Sequence, residues 1–285
     1  MSSTSIITVL DPGVLTTVQD EGRPGFAHLG VPRAGALDVP AAALANRIVG
    51  NGPSAAVLET VLGGLRLRSD TGVWIAVTGA PVPLSIDGRP RGVQVPEWVP
   101  AGAEVSLGTP DRGVRSYVAV AGGFAVPEVL GSRSTDTLSG VGPPPLVTGQ
   151  ELPVGASVGE IRAHDTPRGP AVGPLRLLPG PRRDWFADSA LDVLCAGPYS
   201  VLAESNRVGL RLTGERLPRV RDGELASEGM VFGAIQVPPD GMPVVLLNDH
   251  PVTGGYPVIA VVEPGDLWQC AQLRPGEAVR FTHRR

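Results

Sequence analysis

Apolar residues in this chain come in short, β-branched runs, broken every eight to twelve residues by glycine, proline or aspartate. In the first half the runs Ile6 to Leu10, Val73 to Thr78, Pro83 to Arg89, Glu104 to Leu107 and Ser116 to Val120 read as strands. The third of these enters an Asp87-Gly88 step, the signature of a tight hairpin turn. In the second half Leu175 to Leu178, Val208 to Leu212, Gly233 to Val237, Val244 to Leu247, Val258 to Val262 and Ala278 to Phe281 continue the series. Helical periodicity is confined to two places. Ala41, Leu44, Ala45 and Ile48 share one face, with Asp38 as N-cap, Pro40 in the first turn and Gly50 as the stop. A second helix starts near Asp188-Ser189, runs through Leu191 and Leu194 and stops at Gly197. The expected fold is mainly β: two β-barrel subdomains with a few short helices.

The stretch from Arg162 to Gly173 is rich in turn formers and lacks periodicity, so it is the expected boundary. It divides the chain into an N-terminal barrel over 1–165 and a C-terminal barrel over 172–285. A weak echo, Glu21-Gly22 before Gly30-Val31-Pro32 and Glu228-Gly229 before Val237-Pro238-Pro239, leaves open both a duplicated domain and a chance match in a Gly/Pro-rich chain.

Composition sharpens this picture mainly by exclusion. Of 285 residues 42% are hydrophobic, and the net charge is only -4, so disorder is not expected. All 24 basic residues are arginine. Without lysine there is no Schiff base, no pyridoxal phosphate anchor, no Walker A loop and no attachment point for biotin. A pI of about 5.6 argues against nonspecific nucleic-acid binding. No apolar run is long enough to span a membrane, and Met1 to Thr8 has no signal-peptide pattern, so the expectation is a cytoplasmic protein without nucleic-acid or membrane partners. Cys195 and Cys270 are far apart and read as reduced core thiols, and no zinc-ligand spacing occurs.

Four segments are more polar than strand turns require: Asp11 to Gly25, Asn46 to Asn51 with Glu59 after it, Gly131 to Asp136, and Glu224 to Tyr256. Gly30-Val31-Pro32, Ala45-Asn46 with Gly50-Asn51, Gly131-Ser132-Arg133-Ser134-Thr135-Asp136, Gly233 to Pro239 and Thr253-Gly254-Gly255-Tyr256-Pro257 follow one another in a specific order. In these blocks, and over nearly its whole length, the chain resembles the carboxyltransferase family. That family includes allophanate hydrolase subunit 2, the C-type subunit of bacterial 5-oxoprolinase, the C-terminal part of the urea carboxylase carboxyltransferase domain, and an antagonist of a sporulation-kinase inhibitor. The resemblance implies cyclophilin-like β-barrels and a heteromer with a kinase-inhibitor-like partner of the subunit 1 or B type, with room for a third subunit.

The residues allow two readings at most positions. Asp249 and His250 stand beside a Thr253-Gly254-Gly255-Tyr256 turn, where His250 can exchange protons near neutral pH and the glycines admit close backbone approach. The same residues can simply fix a barrel corner. Arg133 and Asp136 read as an anion clamp or as a buried pair pinning a loop. Asp20, Glu21 and Arg23 read as an acid–base site or a salt-bridged turn. Asn46 is a poor helix former in mid-helix. Glu59, in an apolar stretch, is a buried carboxylate or an outward strand position, and Glu228 and Gln236 share that ambiguity. Asp249, His250, Glu228, Arg133 and Asp136 are the catalytic candidates. Asp20, Arg23, Asn46, Glu59, Gln236, Thr253, Gly254, Gly255 and Tyr256 are the substrate-binding ones.

Among the activities of the family, the resemblance points first to ATP-dependent opening of the 5-oxoproline lactam to glutamate. ATP, with Mg, would be shared with the partner subunit, because this chain has no phosphate loop of its own. The second reading is carboxyl transfer from biotin on a separate carrier to urea or a related amide. The third is a non-catalytic regulator that binds a kinase inhibitor.

Overall fold

The computed structural model describes residues 5–157, 159–161, 171–221, 223 and 225–283. The expected boundary falls largely on 162–170, and Glu224 opens the fourth polar segment; both lie outside the described residues. The chain is mainly β, with two α-helices and three 3₁₀ segments among the described residues. It divides into two compact units that a single cut does not separate. The first holds the described residues of 5–23, 34–136 and 140–161, and the second those of 24–33, 137–139 and 171–283.

The first unit is built from two antiparallel sheets. One has six strands in the order Glu151–Pro153, Ile6–Pro12, Leu65–Ser69, Glu104–Leu107, Leu84–Ile86 and Arg89–Arg91. The other has five, in the order Leu15–Gln19, Val57–Val61, Arg115–Val120, Val73–Gly79 and Glu97–Val99. The chain passes between the sheets at Gly13, where φ is 65° and a Cβ would stand 2.3 Å from the Gly63 carbonyl oxygen, so only glycine fits. The Asp87-Gly88 step is the expected hairpin turn, with φ of 48° and 72° at its two residues. Val9, Leu65, Leu67 and Val105 from one sheet meet Val18, Leu58, Val77 and Val118 from the other in a common core. Each such buried side chain contributes roughly 1.5–3 kcal/mol.

Helix α1, Val39–Ile48, covers the outer face of the five-stranded sheet. Its Ala41, Ala45 and Ile48 pack on Val57, Ala76, Tyr117 and Ala119. Asp38 caps it by accepting from the Ala41 N–H at 3.0 Å, and Gly50 follows in the left-handed region. The strand Arg115–Val120 is therefore buried on both faces, whereas Leu65–Ser69 alternates buried and exposed.

The second unit is an eight-stranded sheet in the order Ala278–Val279, Tyr199–Val201, Gly209–Thr213, Val244–Leu246, Ala234–Gln236, Val258–Val262, Leu175–Pro179 and Phe281–His283. Its two outermost strands are consecutive in sequence, with only Arg280 between them, so the sheet closes on itself. A separate ladder pairs Glu228–Gly229 with Thr253–Gly254. Helix α2, Ala190–Ala196, lies where the sequence expects it. The echo between the halves has no structural counterpart: Glu228-Gly229 is in a strand, while Glu21-Gly22 is not. No helix among the described residues is long and apolar enough to cross a membrane.

Candidate functional site

In the first unit the Gly131 to Asp136 loop encloses an anion, and the anion is Asp20. Its Oδ1 accepts from Ser132 Oγ and Ser134 Oγ, both at 2.6 Å, and from the Gly22 N–H at 2.8 Å. Its Oδ2 accepts from the Arg133 N–H at 2.6 Å. The Arg133 guanidinium points elsewhere, to the Val126 carbonyl at 2.8 Å and to Glu128 at 2.7 Å. Arg23 is buried and donates to the carbonyls of Val129 and Ser134. Asp136 is buried in the same loop, its N–H bonded to the Val141 carbonyl.

Glu59 anchors a second polar group, beneath the start of α1. The ladder places Thr17, Glu59, Tyr117 and Thr78 side by side across four strands, all of them buried. Glu59 Oε2 accepts from the Tyr117 hydroxyl at 2.8 Å and from the Leu37 N–H at 3.0 Å. Arg115 Nε stands 3.4 Å from Oε1. Tyr117 in turn accepts from the Asp38 N–H at 2.8 Å. Burial, with Glu59 and Asp38 nearby, pushes the Tyr117 phenol well above its ordinary range. Thr78 Oγ1 donates to the Ala41 carbonyl. Asn46 does different work: its Nδ2 donates to the Ala55 carbonyl and its Oδ1 accepts from Asn51, which tie the end of α1 to the connection that leads into Val57–Val61.

In the second unit Asp249 is fully buried. Arg207 meets it with two parallel bonds, Nε to Oδ2 at 2.9 Å and Nη2 to Oδ1 at 3.0 Å. The Thr137 N–H and hydroxyl complete Oδ2 at 2.9 and 2.7 Å. All of this positions the segment and leaves Asp249 little capacity for chemistry. His250, next to it, is better placed. Its Nδ1 lies 2.8 Å from the Pro251 carbonyl, which can only accept, so Nδ1 carries the proton. Nε2 then presents a lone pair. Burial lowers the pKa of His250, against smaller opposing effects of the Pro251 carbonyl and Asp249. The imidazole is thus neutral at neutral pH and able to accept a proton.

Glu228, Gln236, Thr253, Gly254 and Tyr256 form the last cluster. Glu228 pairs with Gly254 across the short ladder, and its Oε2 is held by Arg182 Nε at 2.8 Å and Nη2 at 2.6 Å. Gln236 Nε2 donates to Met230 Sδ at 3.1 Å and to the Tyr256 carbonyl at 3.4 Å. Gly254 and Gly255 are absent from the left-handed region; what Gly254 admits is the Gln236 amide, which a Cβ would meet at 2.6 Å. Gly255 approaches the Leu225 carbonyl in the same way, at 3.2 Å from a built Cβ. Tyr256 is 46% exposed.

The sequence candidates therefore fall into separate groups. Asp20, Arg23, Arg133 and Asp136 share one loop system, Glu59 and Asn46 lie around α1, Asp249 and His250 are adjacent, and Glu228 clusters with Gln236 and the Thr253 to Tyr256 turn. Sequence reasoning missed the partners: Ser132 and Ser134 for Asp20, Tyr117 for Glu59, Arg207 and Thr137 for Asp249, and Arg182 for Glu228. Tyr117, a lone phenol in an apolar strand, carried a usable signal. Arg207 and Thr137, far from Asp249 along the chain, carried none.

With this geometry in hand, comparison with known proteins places the molecule. A family model described as carboxyltransferase domain, subdomain A and B, matches residues 29–283, and the chain belongs to that family. It is 39% identical over 282 residues to the C subunit of 5-oxoprolinase from Escherichia coli (strain K12), covering 97% of this chain and 90% of that protein. The solved structure of TTHA0988 superposes with a TM-score of 0.89 at 39% identity, covering 99% of this chain. The Kluyveromyces lactis urea amidolyase superposes with a TM-score of 0.90 at 30% identity, again over 99% of this chain. This chain spans only 56% and 19% of those two proteins, respectively.

The resemblance also implies ATP, and the arginines best suited by sequence to receive its phosphates do not fit that role. The Arg133 and Arg23 side chains are committed to Glu128 and to backbone carbonyls, and the loop that would nest a phosphate already holds Asp20.

Proposed function

We propose that this chain is the C-type component of an ATP-dependent 5-oxoprolinase, which opens 5-oxoproline to glutamate in a heteromer with a kinase-inhibitor-like subunit of the B type. The observation that carries this reading is the match to a 5-oxoprolinase C subunit over 97% of this chain and 90% of that protein. ATP is held by the partner, since Arg23 and Arg133 are already engaged. This chain contributes His250, whose Nε2 takes a proton from the attacking water and, as the imidazolium, gives it to the ring nitrogen when the C–N bond breaks. Asp249, clamped by Arg207 and Thr137, fixes the backbone that carries His250 and is a positioning residue.

The test is reconstitution with partners recovered by affinity pull-down from the host. ATP-dependent release of glutamate from 5-oxoproline, lost in His250→Gln while the complex still assembles, is the expected result. Full activity of that variant removes His250 from the chemistry. The likeness to a urea amidolyase structure favours a second reading, carboxyl transfer from biotin on another chain. Recovery of a biotinylated carrier, with no turnover of 5-oxoproline, replaces the first reading by the second. Recovery of a kinase-inhibitor-like protein alone, with neither activity, leaves a regulatory binder.

A further inference from the structure

Between the buried Asp249 and the strand Val258–Val262, residues 251–257 leave the closed sheet as a loop, and His250 stands at its root. Within that loop Thr253–Gly254 pairs with Glu228–Gly229 in a two-strand ladder separate from the eight-stranded sheet. A ladder of two residues on each strand does not hold itself in water. Gly229 borders open space, since a Cβ built there meets nothing within 4 Å. The ladder is therefore held by its ties to the sheet.

Those ties differ in kind. On the apolar side Met230 is buried with Ala234, Leu246 and Val258, and its N–H donates to the Val252 carbonyl at 2.9 Å. Gln236 Nε2 reaches the Tyr256 carbonyl at 3.4 Å, a long bond. The ionic tie is shorter: Arg182 Nε and Nη2 both donate to Glu228 Oε2, at 2.8 and 2.6 Å. Arg182 is itself fixed to the closed sheet, its N–H donating to the Val258 carbonyl at 3.1 Å. Glu228 Oε1 is shut off from water and has no hydrogen-bond partner among the described residues. If Arg182 lets go, neither carboxylate oxygen is matched, and the ladder must swing out to hydrate them. The two side chains are 39% and 21% exposed, so the pair adds little to global stability. Local opening is different, because a short segment opens with a small free energy and one ion pair is a large part of it.

The loop reaches His250 through its first residue. His250 Nδ1 bonds to the Pro251 carbonyl, and that bond keeps the proton on Nδ1 and the lone pair on Nε2. We propose that Arg182 and Glu228 are positioning residues for His250. Their pair latches the ladder to the closed sheet, the ladder sets the path of 251–257, and that path places the Pro251 carbonyl that selects the imidazole tautomer. The bearing of this latch on catalysis rests on the role of His250 proposed above; the latch itself does not.

The experiment reads the ring and the ladder directly, in the full chain labelled with ¹⁵N. Long-range ¹H–¹⁵N spectra at neutral pH, with the His250 signals assigned by their loss in His250→Gln, should show Nδ1 protonated in the parent. Arg182→Met, which keeps the side-chain stem and removes both bonds, should give a mixture of the two tautomers. Exchange of the Met230 amide should quicken about tenfold in that variant, with the amides of Val258–Val262 unchanged. Arg182→Lys, which keeps a charge for Glu228, should stay close to the parent on both readings. In the assembled complex Arg182→Met should lower kcat for 5-oxoproline about tenfold and leave KM nearly unchanged. The latch is overturned if Met230 exchange does not change in Arg182→Met. Its link to His250 is overturned if exchange quickens while the single tautomer persists. A parent complex that does not turn over 5-oxoproline removes the proposed reaction and leaves the spectra to decide the latch.

Discussion

Partly buried Asp20 and buried Glu59 show how a single residue can look catalytic and act as a keystone. Asp20 accepts four hydrogen bonds from one loop and its own turn. Asp20→Asn turns an N–H₂ toward those donors, leaving at least one unsatisfied, and should cost about 2 kcal/mol in urea unfolding with faster amide exchange across 131–134. Glu59→Ala strands the Tyr117 hydroxyl and the Leu37 N–H and should cost about 3 kcal/mol. Tyr117→Phe should cost about 1 kcal/mol, and it should leave KM unchanged if the network only supports the helix. His250 makes a pH prediction. Burial holds its folded pKa below the ordinary 6.5, so the unfolded chain takes up the proton first as pH falls. Its contribution is complete above about 6.5 and is lost as pH falls through the folded value. Urea midpoints measured across that window should decline in the parent and decline less in His250→Gln. Asp266, held by Arg176 below its ordinary 3.8, acts only in a lower window.

Elements were legible where a short apolar run is bounded by turn or cap residues, as at Ile6–Pro12 and Val258–Val262. The Asp87-Gly88 hairpin and both helix positions follow from local turn and cap chemistry, whereas Leu65–Ser69, which alternates strictly, was not read as a strand. Arg115–Val120 reads as an unbroken apolar run because α1 covers its outer face, and that second layer is invisible in the local pattern. Leu15–Gln19 was harder still, since its threonines and glutamine enter a buried polar row that a sequence pattern reads as a polar loop, and in Val57–Val61 the pattern left open whether Glu59 faced in or out. The candidate site was half legible for the same reason: the carboxylates and glycines stand out along the chain, but the donors that decide their role come from other strands. Asp38 joins the two levels. It caps α1 through its side chain and meets Tyr117 through its N–H. Asp38→Ala should remove the first bond and keep the second, costing about 1 kcal/mol, and circular dichroism should show the barrel strands unaffected.

At the scale of the whole molecule, the composition of the second unit decides what can fold alone. The closed sheet lies within 171–283, and a cut in the boundary segment would release it intact only if the unit were one continuous stretch. It is not continuous: residues 24–33 and 137–139 belong to it as well. The second insertion brings Thr137, whose N–H and hydroxyl both bond to Asp249 Oδ2. Without them the fully buried pair of Asp249 with Arg207 loses two of the bonds that offset its desolvation. A fragment of residues 171–285 should therefore fold poorly, with narrow amide dispersion and no cooperative thermal transition. Thr137→Val in the full chain removes the hydroxyl bond alone and should lower stability by about 2 kcal/mol while the chain stays folded. A fragment that unfolds as sharply as the full chain would show that the insertions merely decorate a self-sufficient barrel.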